Sequence, residues 1–390
     1  MKVRIFRDDE QTVNAKKQLP SFANLEPILA TEVPARQQLN ADYALLKAKQ
    51  DGIEWLIHLD ADELFYLQPP MTLQEHFTEL VRDHVGSIIY MNHEAVPEQS
   101  ETIGDYFHQV SLFRRNLNSI TFNSQSQKCI DYWRSKTHHH QYMISYDNGK
   151  AATRIIPGAR AAGVHAWSVP TSSPLQSEEN LYLSASSSET SSPASLYDAQ
   201  RSPQVRLRNV SSLADVRTLD LSKLYQCDKV FILHFVVCGL YWYLKKYKIL
   251  DAFPNTWFGG KLQIHPCFHL DSRDRFLSGD FESLKSSYRK EVVMDDGEEI
   301  ERQLESGVCM RVEGLGEAIC AQHRKLFNSE YFPVSVAVPY PDQLKRGTDA
   351  IPNDTHRPAT EKKVGESLPL EKMWVLSSLI SQYLKPSHPD

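Results

Sequence analysis

The sequence has few cysteines, no long apolar run and no excess of basic residues. Its six cysteines are scattered through 390 residues, and no pair has the Cys-x2-Cys spacing of a zinc site. They are also too sparse for a disulfide-stabilised scaffold. The 43 basic and 49 acidic residues give a formal net charge of -6. Without a basic stripe, this balance argues against a general nucleic-acid-binding protein.

Segments that target a protein to a membrane or span one are also lacking. The N-terminal residues 1–8 contain no apolar stretch of the kind found in signal peptides. The most apolar run, residues 230–244, is shorter than the about 20 residues that a spanning helix needs, and it contains His234. We therefore predict that this run is a core segment and that the chain has no membrane span.

An apolar strand that ends in acids is the main positive feature. Nearly every residue from Trp55 to Leu59 is apolar, which is typical of a strand buried on both faces. Asp60, Asp62 and Glu63 follow at the end of the strand, where open α/β sheets place their ligands. An Asp-x-Asp pair suits one hard divalent cation that also holds a phosphate. The alternative is a helix N-terminus, where acids are favoured by the helix dipole.

The pattern around this motif predicts an α/β fold. A strand, a helix and a second strand precede the acids and form a crossover unit. The predicted helices are 32–49, 73–85, 222–248, 281–293 and an amphipathic helix at 368–384. The predicted strands are 3–6, 53–59, 87–91, 110–114, 119–122 and a hairpin of 142–146 with 151–156 around an Asn-Gly turn.

Four stretches of the sequence, in this order, resemble GT-A glycosyltransferases of family 92 and the related family 2-like group, the DUF23 type. They are Arg36-Gln37 in a helix followed by Asp60-Ala61-Asp62-Glu63, then Asn148-Gly149-Lys150-Ala151-Ala152-Thr153-Arg154, then Gly163-Val164-His165, and finally His234-Phe235 with Lys245-Lys246-Tyr247. Phe235 stands where the family usually has tyrosine. The resemblance covers roughly residues 35–261.

The resemblance implies a Rossmann-like GT-A fold, a mixed sheet flanked by helices. Because only about 50 residues precede the acids, we expect the first strand of that fold, with much of the nucleotide pocket, to be missing. We expect a catalytic core at 1–167, a Ser/Pro-rich flexible insertion at 168–204, a mostly helical remainder of the transferase region at 205–337, and a polar linker with a terminal helix at 338–390.

The resemblance also implies a function, namely inverting transfer of a hexose from a nucleotide-sugar to a glycan or another hydroxyl acceptor. It points to UDP-galactose as the donor and to Mn2+ or Mg2+ as the cofactor. Families of this kind work in the secretory pathway (Golgi) or at membranes, although nothing in these residues directs the chain there. The alternatives are a catalytically inactive, truncated transferase-like binding protein and a phosphoryl-transfer enzyme of the haloacid-dehalogenase type.

Specific residues follow from that comparison. The candidate metal ligands are Asp60 and Asp62, with His165 or His234 as the third. The candidate phosphate-binding side chains are Arg36, Lys150 and Arg154, for which surface solvation is the alternative. Glu94 is the first candidate for the base that takes the acceptor proton and Asp105 the second, with a solvated loop acid as the alternative for each. The cluster at residues 138–140 is interpreted as a polar loop rather than a metal site.

Overall fold

The computed structural model describes residues 6, 8–83, 85–99, 104–169, 211–212, 229–265, 267–327 and 373–377. Its strands are β1 (Trp55–Leu59), β2 (Glu63–Leu67), β3 (Val85–Tyr90), β4 (Asn92–Ala95), β5 (Leu112–Arg114), β6 (Lys150–Arg154), β7 (Arg160–Ala161), β8 (Trp167–Ser168), β9 (Ser211–Ser212), β10 (Val230–His234), β11 (Thr256–Trp257), β12 (Leu262–Gln263), β13 (Cys309–Arg311) and β14 (Met373–Ser377).

The helices connect and cover these strands. They are α1 (Glu10–Lys17), α2 (Phe22–Leu25), α3 (Val33–Gln50), α4 (Leu73–Arg82), α5 (Tyr106–Gln109), α6 (Ser124–Lys136), α7 (Leu240–Leu250), α8 (Cys267–Ser278), α9 (Phe281–Ser287), α10 (Gly297–Glu305) and α11 (Leu315–Phe327), with 3-10 turns at Glu26–Ile28 and Leu117–Ser119 and a π-helical turn at Tyr288–Val292. No helix among the described residues is both long and apolar enough to cross a membrane.

Two mixed five-stranded sheets form the centre of the fold. The first has the order β14-β1-β6-β3-β9 and the second the order β13-β5-β4-β10-β2. In the first sheet β1 runs parallel to β14 and antiparallel to β6. The chain passes directly from the first sheet to the second through residues 60–62 after β1 and through Met91 after β3. The acidic motif therefore lies where the two sheets meet.

Apolar residues explain why these elements pack as they do. All five residues of β1 are buried, and Trp55 and Ile57 join Phe77 of α4 in the core of the first sheet. A second core lies among the later helices, around Tyr243 and Tyr288. Each large side chain that becomes fully buried contributes about 1.5–3 kcal/mol. The α/β architecture with a mixed sheet, the helix near 33–50 and the strand before the acids are confirmed.

The predicted hairpin of 142–146 with 151–156 is wrong. Residues 142–146 form no strand, and β6 pairs instead with β1 and β3. The physical reason is that side chains take up the backbone groups of this segment. Glu94 accepts the amides of Ile144 and Ser145 at 3.1 and 2.6 Å, and Asn92 donates to the carbonyl of Tyr146 at 2.7 Å.

Three further predictions need correction. Residues 119–122 form no strand, because the Asn116 side chain caps the 3-10 turn at Leu117–Ser119. The predicted helix 222–248 is not continuous, because its described residues 229–248 contain the strand β10 and then α7; the apolar run 230–244 within it is largely buried, as predicted. Met373–Ser377 form a strand, not a terminal helix, because they pair in parallel with β1 and satisfy its backbone groups. Helix α6 was not predicted from the sequence.

Some predictions concern parts of the chain that the structure does not describe. The predicted strand at 3–6 lies outside the described residues except for Phe6, and so does the predicted Ser/Pro-rich insertion beyond residue 169. Within 229–327 the elements are six helices or helical turns and four strands, and the predicted boundaries at 205 and 337 lie outside the described residues.

Candidate active site

The acidic motif lies in the short loop that joins β1 to β2. The Asp60 backbone N–H donates to Glu63 Oε2 at 2.7 Å, and the Glu63 N–H donates to the Asp60 carbonyl oxygen at 3.1 Å. These reciprocal bonds close a tight turn. A strand follows the turn, so the acids do not begin a helix. The loop thus presents its carboxylates at the junction of the two sheets.

Lys150 is the cation that faces Asp60. Its side chain is completely buried, and Nζ lies 2.7 Å from Asp60 Oδ2 and 3.6 Å from Glu63 Oε2. Because β6 is antiparallel to β1, its first residue reaches the end of β1 where the acids lie. Gly149 precedes it with φ +71°, and a Cβ there would lie 2.2 Å from the Tyr90 carbonyl oxygen. Only glycine fits this close approach.

Burial and neighbouring charge shift the pKa values of two carboxyl groups in opposite directions. Burial alone would raise the pKa of Asp60, but the positive charge of Lys150 and the influence of His58 outweigh it and lower that pKa. Burial raises the pKa of Glu63 to about 8, with repulsion from Asp60 and Asp62 adding to the rise and Lys150 opposing it. One buried ammonium beside two carboxyl groups favours ionisation of one of them only.

Asp62 faces a different lysine. Lys246 of α7 places Nζ 3.0 Å from Asp62 Oδ2 and also donates to the Val236 carbonyl oxygen at 2.9 Å. The Phe235 amide donates to the Asp62 carbonyl oxygen at 2.8 Å, which anchors the loop to the end of β10. The side chain of Lys246 is 29% exposed, whereas that of Lys150 is buried. Lys246 is therefore the lysine of the pair that solvent or a ligand can reach.

Two histidines flank the acids with the ring of Tyr146 between them. The ring centroids lie 4.2 Å from Tyr146 for His165 and 4.8 Å for His234. His165 donates from Nδ1 to the Gly149 carbonyl oxygen at 2.8 Å, so its Nε2 carries the lone pair. Burial lowers the pKa of His165 to about 3 and that of His234 to about 4. Both imidazoles are therefore neutral at physiological pH.

The donor set around the acids fits a divalent cation in its chemistry. Asp60 and Asp62 offer oxygens and the neutral imidazoles offer nitrogens, which first-row divalent ions accept. His234 Nε2 lies 3.9 Å from Asp62 Oδ2, and its buried Nδ1 has no hydrogen-bond partner in the described part of the chain. Among the described residues, no three of these ligand atoms lie within 4.8 Å of one another, since Lys150 and Lys246 hold the carboxylates.

The two predicted bases lie in different surroundings. Glu94 is buried, forms an ion pair with Arg114 and accepts two backbone amides. These bonds give it a positioning role, because they hold the segment that leads to Tyr146. Asp105 caps α5, where it accepts the amide of His108 at 3.4 Å. The role of base stays a prediction for both residues.

Neither predicted arginine is found at the acidic motif. Arg36 donates from Nη1 to the carbonyl oxygens of Leu29 and Ala30 at 2.6 and 3.4 Å, so it holds its own loop. Arg154 ends β6 opposite Trp55, at the far end of β1 from the acids. It lies four residue steps along β6 from Lys150, a distance of roughly 13 Å. Of the three predicted phosphate-binding residues, the structure brings only Lys150 to the site.

Sequence reasoning missed three side chains at the site. Gln37 donates to Asp60 Oδ1 at 2.5 Å, Tyr146 donates to Glu63 Oε1, and Lys246 pairs with Asp62. Gln37 stands beside Arg36 in the helical motif, so the motif itself carried a signal for it. No local pattern distinguishes Lys246 from its neighbouring lysines, because the choice depends on which face of α7 meets the acidic loop.

Comparison with known proteins adds a class of relatives. The chain is 31% identical over 139 residues to a glycosyltransferase-like protein of Arabidopsis thaliana. The aligned region is 35% of this chain and 30% of that protein. The chain is similar to glycosyltransferase-like proteins. A second such protein of the same organism is 32% identical over 139 residues, covering 35% of this chain and 26% of the relative. No family model matches the chain, and no solved structure matches it.

The chain therefore spans less than a third of the length of either relative. At this coverage the similarity supports a transferase at the coarse level. The arrangement of paired carboxylates, lysines and neutral imidazoles is compatible with that class.

Proposed function

We propose that this chain transfers a sugar, with inversion and with the help of a divalent cation, from a nucleotide-sugar such as UDP-galactose to a hydroxyl group of a glycan or other acceptor, in the manner of GT-A enzymes of the family 92 type. The observation that carries the proposal is the sheet junction, where Asp60 and Asp62 face Lys150 and Lys246 beside two neutral imidazoles. The similarity to glycosyltransferase-like proteins supports it.

The two lysines take different parts in binding the donor. Lys246 is partly exposed and makes its bond to Asp62 at the edge of the site, so it is the group that contacts a donor phosphate. Lys150 is buried against Asp60 and keeps that carboxylate ionised and oriented. Gln37 fixes the second oxygen of the same carboxylate. The buried contacts therefore preorganise Asp60 before any ligand arrives.

Asp60 and Asp62, with His165 or His234, are the residues that would hold the Mn2+ or Mg2+ ion. When bound, the ion supplies Lewis-acid stabilisation of the departing nucleotide diphosphate. Asp62 would hold the ion in place of its present contact with Lys246, whose side chain is 29% exposed. His165 is ready for the role of third ligand because the Gly149 carbonyl fixes its tautomer.

Inversion requires a base for the acceptor hydroxyl on the face opposite the leaving group. Glu94 is already engaged by Arg114 and two amides. Asp105 also accepts a hydrogen bond, from the His108 amide, so we propose both Glu94 and Asp105 as candidates for the base. The loop of Asp105 is joined to α7, the helix that carries Lys246, by a bond of 2.7 Å from Trp242 Nε1 to the Gly104 carbonyl oxygen.

A donor-hydrolysis screen across nucleotide-sugars with Mn2+ tests the proposal. The full chain is compared with Asp62→Asn and with Asp131→Asn, a control at an acid whose side chain is 58% exposed. We expect Asp62→Asn to lower turnover about 100-fold or more, as the loss of a preorganised charged group does. The control keeps wild-type turnover.

Other outcomes have clear meanings. Equal turnover in Asp62→Asn and wild type refutes the role of Asp62. Binding of a nucleotide-sugar without turnover supports the alternative of an inactive binding protein, and a folded chain that binds no nucleotide contradicts the proposal altogether. Release of phosphate from phosphomonoesters supports the dehalogenase-type alternative, which the similarity to glycosyltransferase-like proteins does not favour.

A further inference from the structure

Two histidines and one aspartate converge on the surface, in a different part of the molecule from the sheet junction. His138 and His139 lie in the loop that follows α6, and Asp271 lies in α8. Their side chains are 63%, 38% and 26% exposed. Among the described residues, this is the group of three potential ligands whose donor atoms lie within 4.8 Å of one another.

The distances within the group match those of a metal site. His138 Nδ1 lies 3.1 Å from Asp271 Oδ2, and His139 Nε2 lies 3.0 Å from the same oxygen. A tetrahedral Zn2+ ion with bonds of about 2.0–2.2 Å separates its ligand atoms by about 3.3 Å. The two histidine-to-aspartate separations are within a few tenths of an ångström of this value, and the two histidine nitrogens lie within 4.8 Å of each other.

The loop that carries the two histidines is held in place from several sides. The His138 amide donates to Glu291 Oε2 at 3.2 Å. Thr137 Oγ1 donates to the Gln141 carbonyl oxygen at 2.8 Å, and Gln141 Oε1 accepts the Cys267 amide, at the first residue of α8, at 3.1 Å. These bonds link the loop to α8, so the three donor groups are preorganised rather than brought together by the ion.

A positively charged side chain, that of Arg275, lies near Asp271. Arg275 Nη2 is 3.9 Å from Asp271 Oδ2, beyond hydrogen-bond distance, and its Nη1 donates to Ser287 Oγ at 2.5 Å. Arg275 therefore makes only a long ion pair with Asp271, and Asp271 Oδ2 makes short contacts with the two imidazoles. The second oxygen of Asp271 gives an incoming ion a choice of coordination.

We propose that His138 Nδ1, His139 Nε2 and the Asp271 carboxylate bind a transition-metal ion, Zn2+ in the first place. Two imidazoles and one carboxylate suit zinc rather than Mg2+ or Ca2+, which prefer oxygen ligands. The exposure of the group leaves a fourth position for water. The ion fastens the loop after α6 to α8 and so joins the core around α6 to the helical core around Tyr243. This site does not depend on the proposed sugar transfer.

Calorimetric titration with Zn2+ alone, on the full chain freed of metal with EDTA, tests the proposal. Variants His139→Ala and Asp271→Asn each remove one ligand. The matched control is His140→Asn, which changes the next histidine but keeps a residue that tolerates its φ of +54°. We expect both ligand variants to weaken Zn2+ affinity at least about 10-fold, since even changes outside the coordination shell do so, and the control to leave it unchanged.

A second control tests a change of charge outside both sites. Asp131→Asn, at an acid whose side chain is 58% exposed, should retain the full Zn2+ affinity, and Co2+ bound to the wild type should give the visible spectrum of a tetrahedral site. The rise in melting temperature with Zn2+ should be equal in the wild type and both controls and smaller in the ligand variants. Absence of Zn2+ binding, equal affinity in all variants, or loss of binding in Asp131→Asn alone would each overturn the proposal.

Discussion

Lys150 Nζ and Asp60 Oδ2 lie 2.7 Å apart, with the lysine side chain completely buried. The pair joins the first residue of β6 to the loop after β1, and Gln37 holds the other carboxylate oxygen. A buried charge of either sign is costly unless it is paired and hydrogen-bonded. The ion pair therefore links β6 to the loop after β1, and the positive charge of Lys150 lowers the pKa of Asp60.

Removal of the buried lysine should destabilise the protein far more than removal of the exposed one. We expect Lys150→Met to lower the free energy of unfolding by about 3 kcal/mol, because the carboxylates of Asp60 and Glu63 lose the buried ammonium that lies between them. Lys246→Met should cost at most about 1 kcal/mol, because its contact with Asp62 is partly exposed. Urea denaturation of both variants measures the difference, and similar losses would contradict it.

Glu63 should contribute less to stability as the pH rises from its ordinary pKa toward 8. Its pKa is raised to about 8 in the folded state from an ordinary value of 4.5, so the folded state binds the extra proton between these values. The contribution of Glu63 to the free energy of unfolding therefore decreases as pH rises, by at most about 1.4 kcal/mol per pH unit. The buried histidines act in the opposite direction near neutral pH, because with an unfolded-state pKa of about 6.5 they bind protons there only in the unfolded state, so the effect of Glu63 is measured as a difference between variants.

The variant Glu63→Gln should lack this contribution, so its stability should rise more steeply, or fall less steeply, with pH than that of the wild type. Chemical denaturation at intervals between pH 6.5 and 8, with EDTA to exclude metal, gives the slope for each protein. A wild-type slope equal to that of Glu63→Gln would show that this carboxyl group has no raised pKa.

The glycine before Lys150 should be less replaceable than a glycine with the same backbone conformation elsewhere. Gly52 has φ +68° with no atom within 4 Å of an added Cβ, whereas at Gly149 that Cβ meets the Tyr90 carbonyl oxygen. Gly52→Ala should cost about 1–2 kcal/mol from backbone conformation alone. Gly149→Ala should cost about 1–3 kcal/mol more, from overpacking. Equal melting temperatures in the two variants would contradict the close approach.

Measuring stability and turnover together should distinguish the roles of the two candidate bases, Glu94 and Asp105. Glu94→Gln breaks a buried ion pair with Arg114 and should lower the free energy of unfolding by about 3–5 kcal/mol. Asp105→Asn keeps a good helix cap, so we expect normal stability and turnover reduced about 100-fold or more if Asp105 is the base. Full turnover in stable Asp105→Asn protein rules it out.

Local sequence patterns predicted some elements well and others badly. Helix α3 and strand β1 were predictable because their apolar spacing and burial are local properties. Helix α6 also had a local signal, an Asn123 cap with Ser126 three residues later. The predicted hairpin failed because its first half is bonded by side chains of Asn92 and Glu94, from a distant part of the sequence.

The prediction for the C-terminal segment 368–384 also failed because local patterns do not contain the pairing partner. The apolar spacing of this segment predicts a helix, yet Met373–Ser377 form a strand beside β1. Short apolar runs do not separate helix from strand by periodicity, and here a parallel partner decides. The pairing partner lies more than 300 residues earlier in the chain, so no local window contains the information.

By itself, the sequence determined that a buried strand delivers three acids to one end of a sheet, and that an Asn-Gly-Lys stretch follows later. Burial patterns, turn residues and charge are properties of neighbouring residues, so they can be read from the chain directly. Only the tertiary structure decided that Lys150 pairs with Asp60 and Lys246 with Asp62, and that Arg154 lies at the far end of the strand. Those outcomes depend on strand register and on the side of a helix that faces the loop, which are set by packing across long separations in sequence.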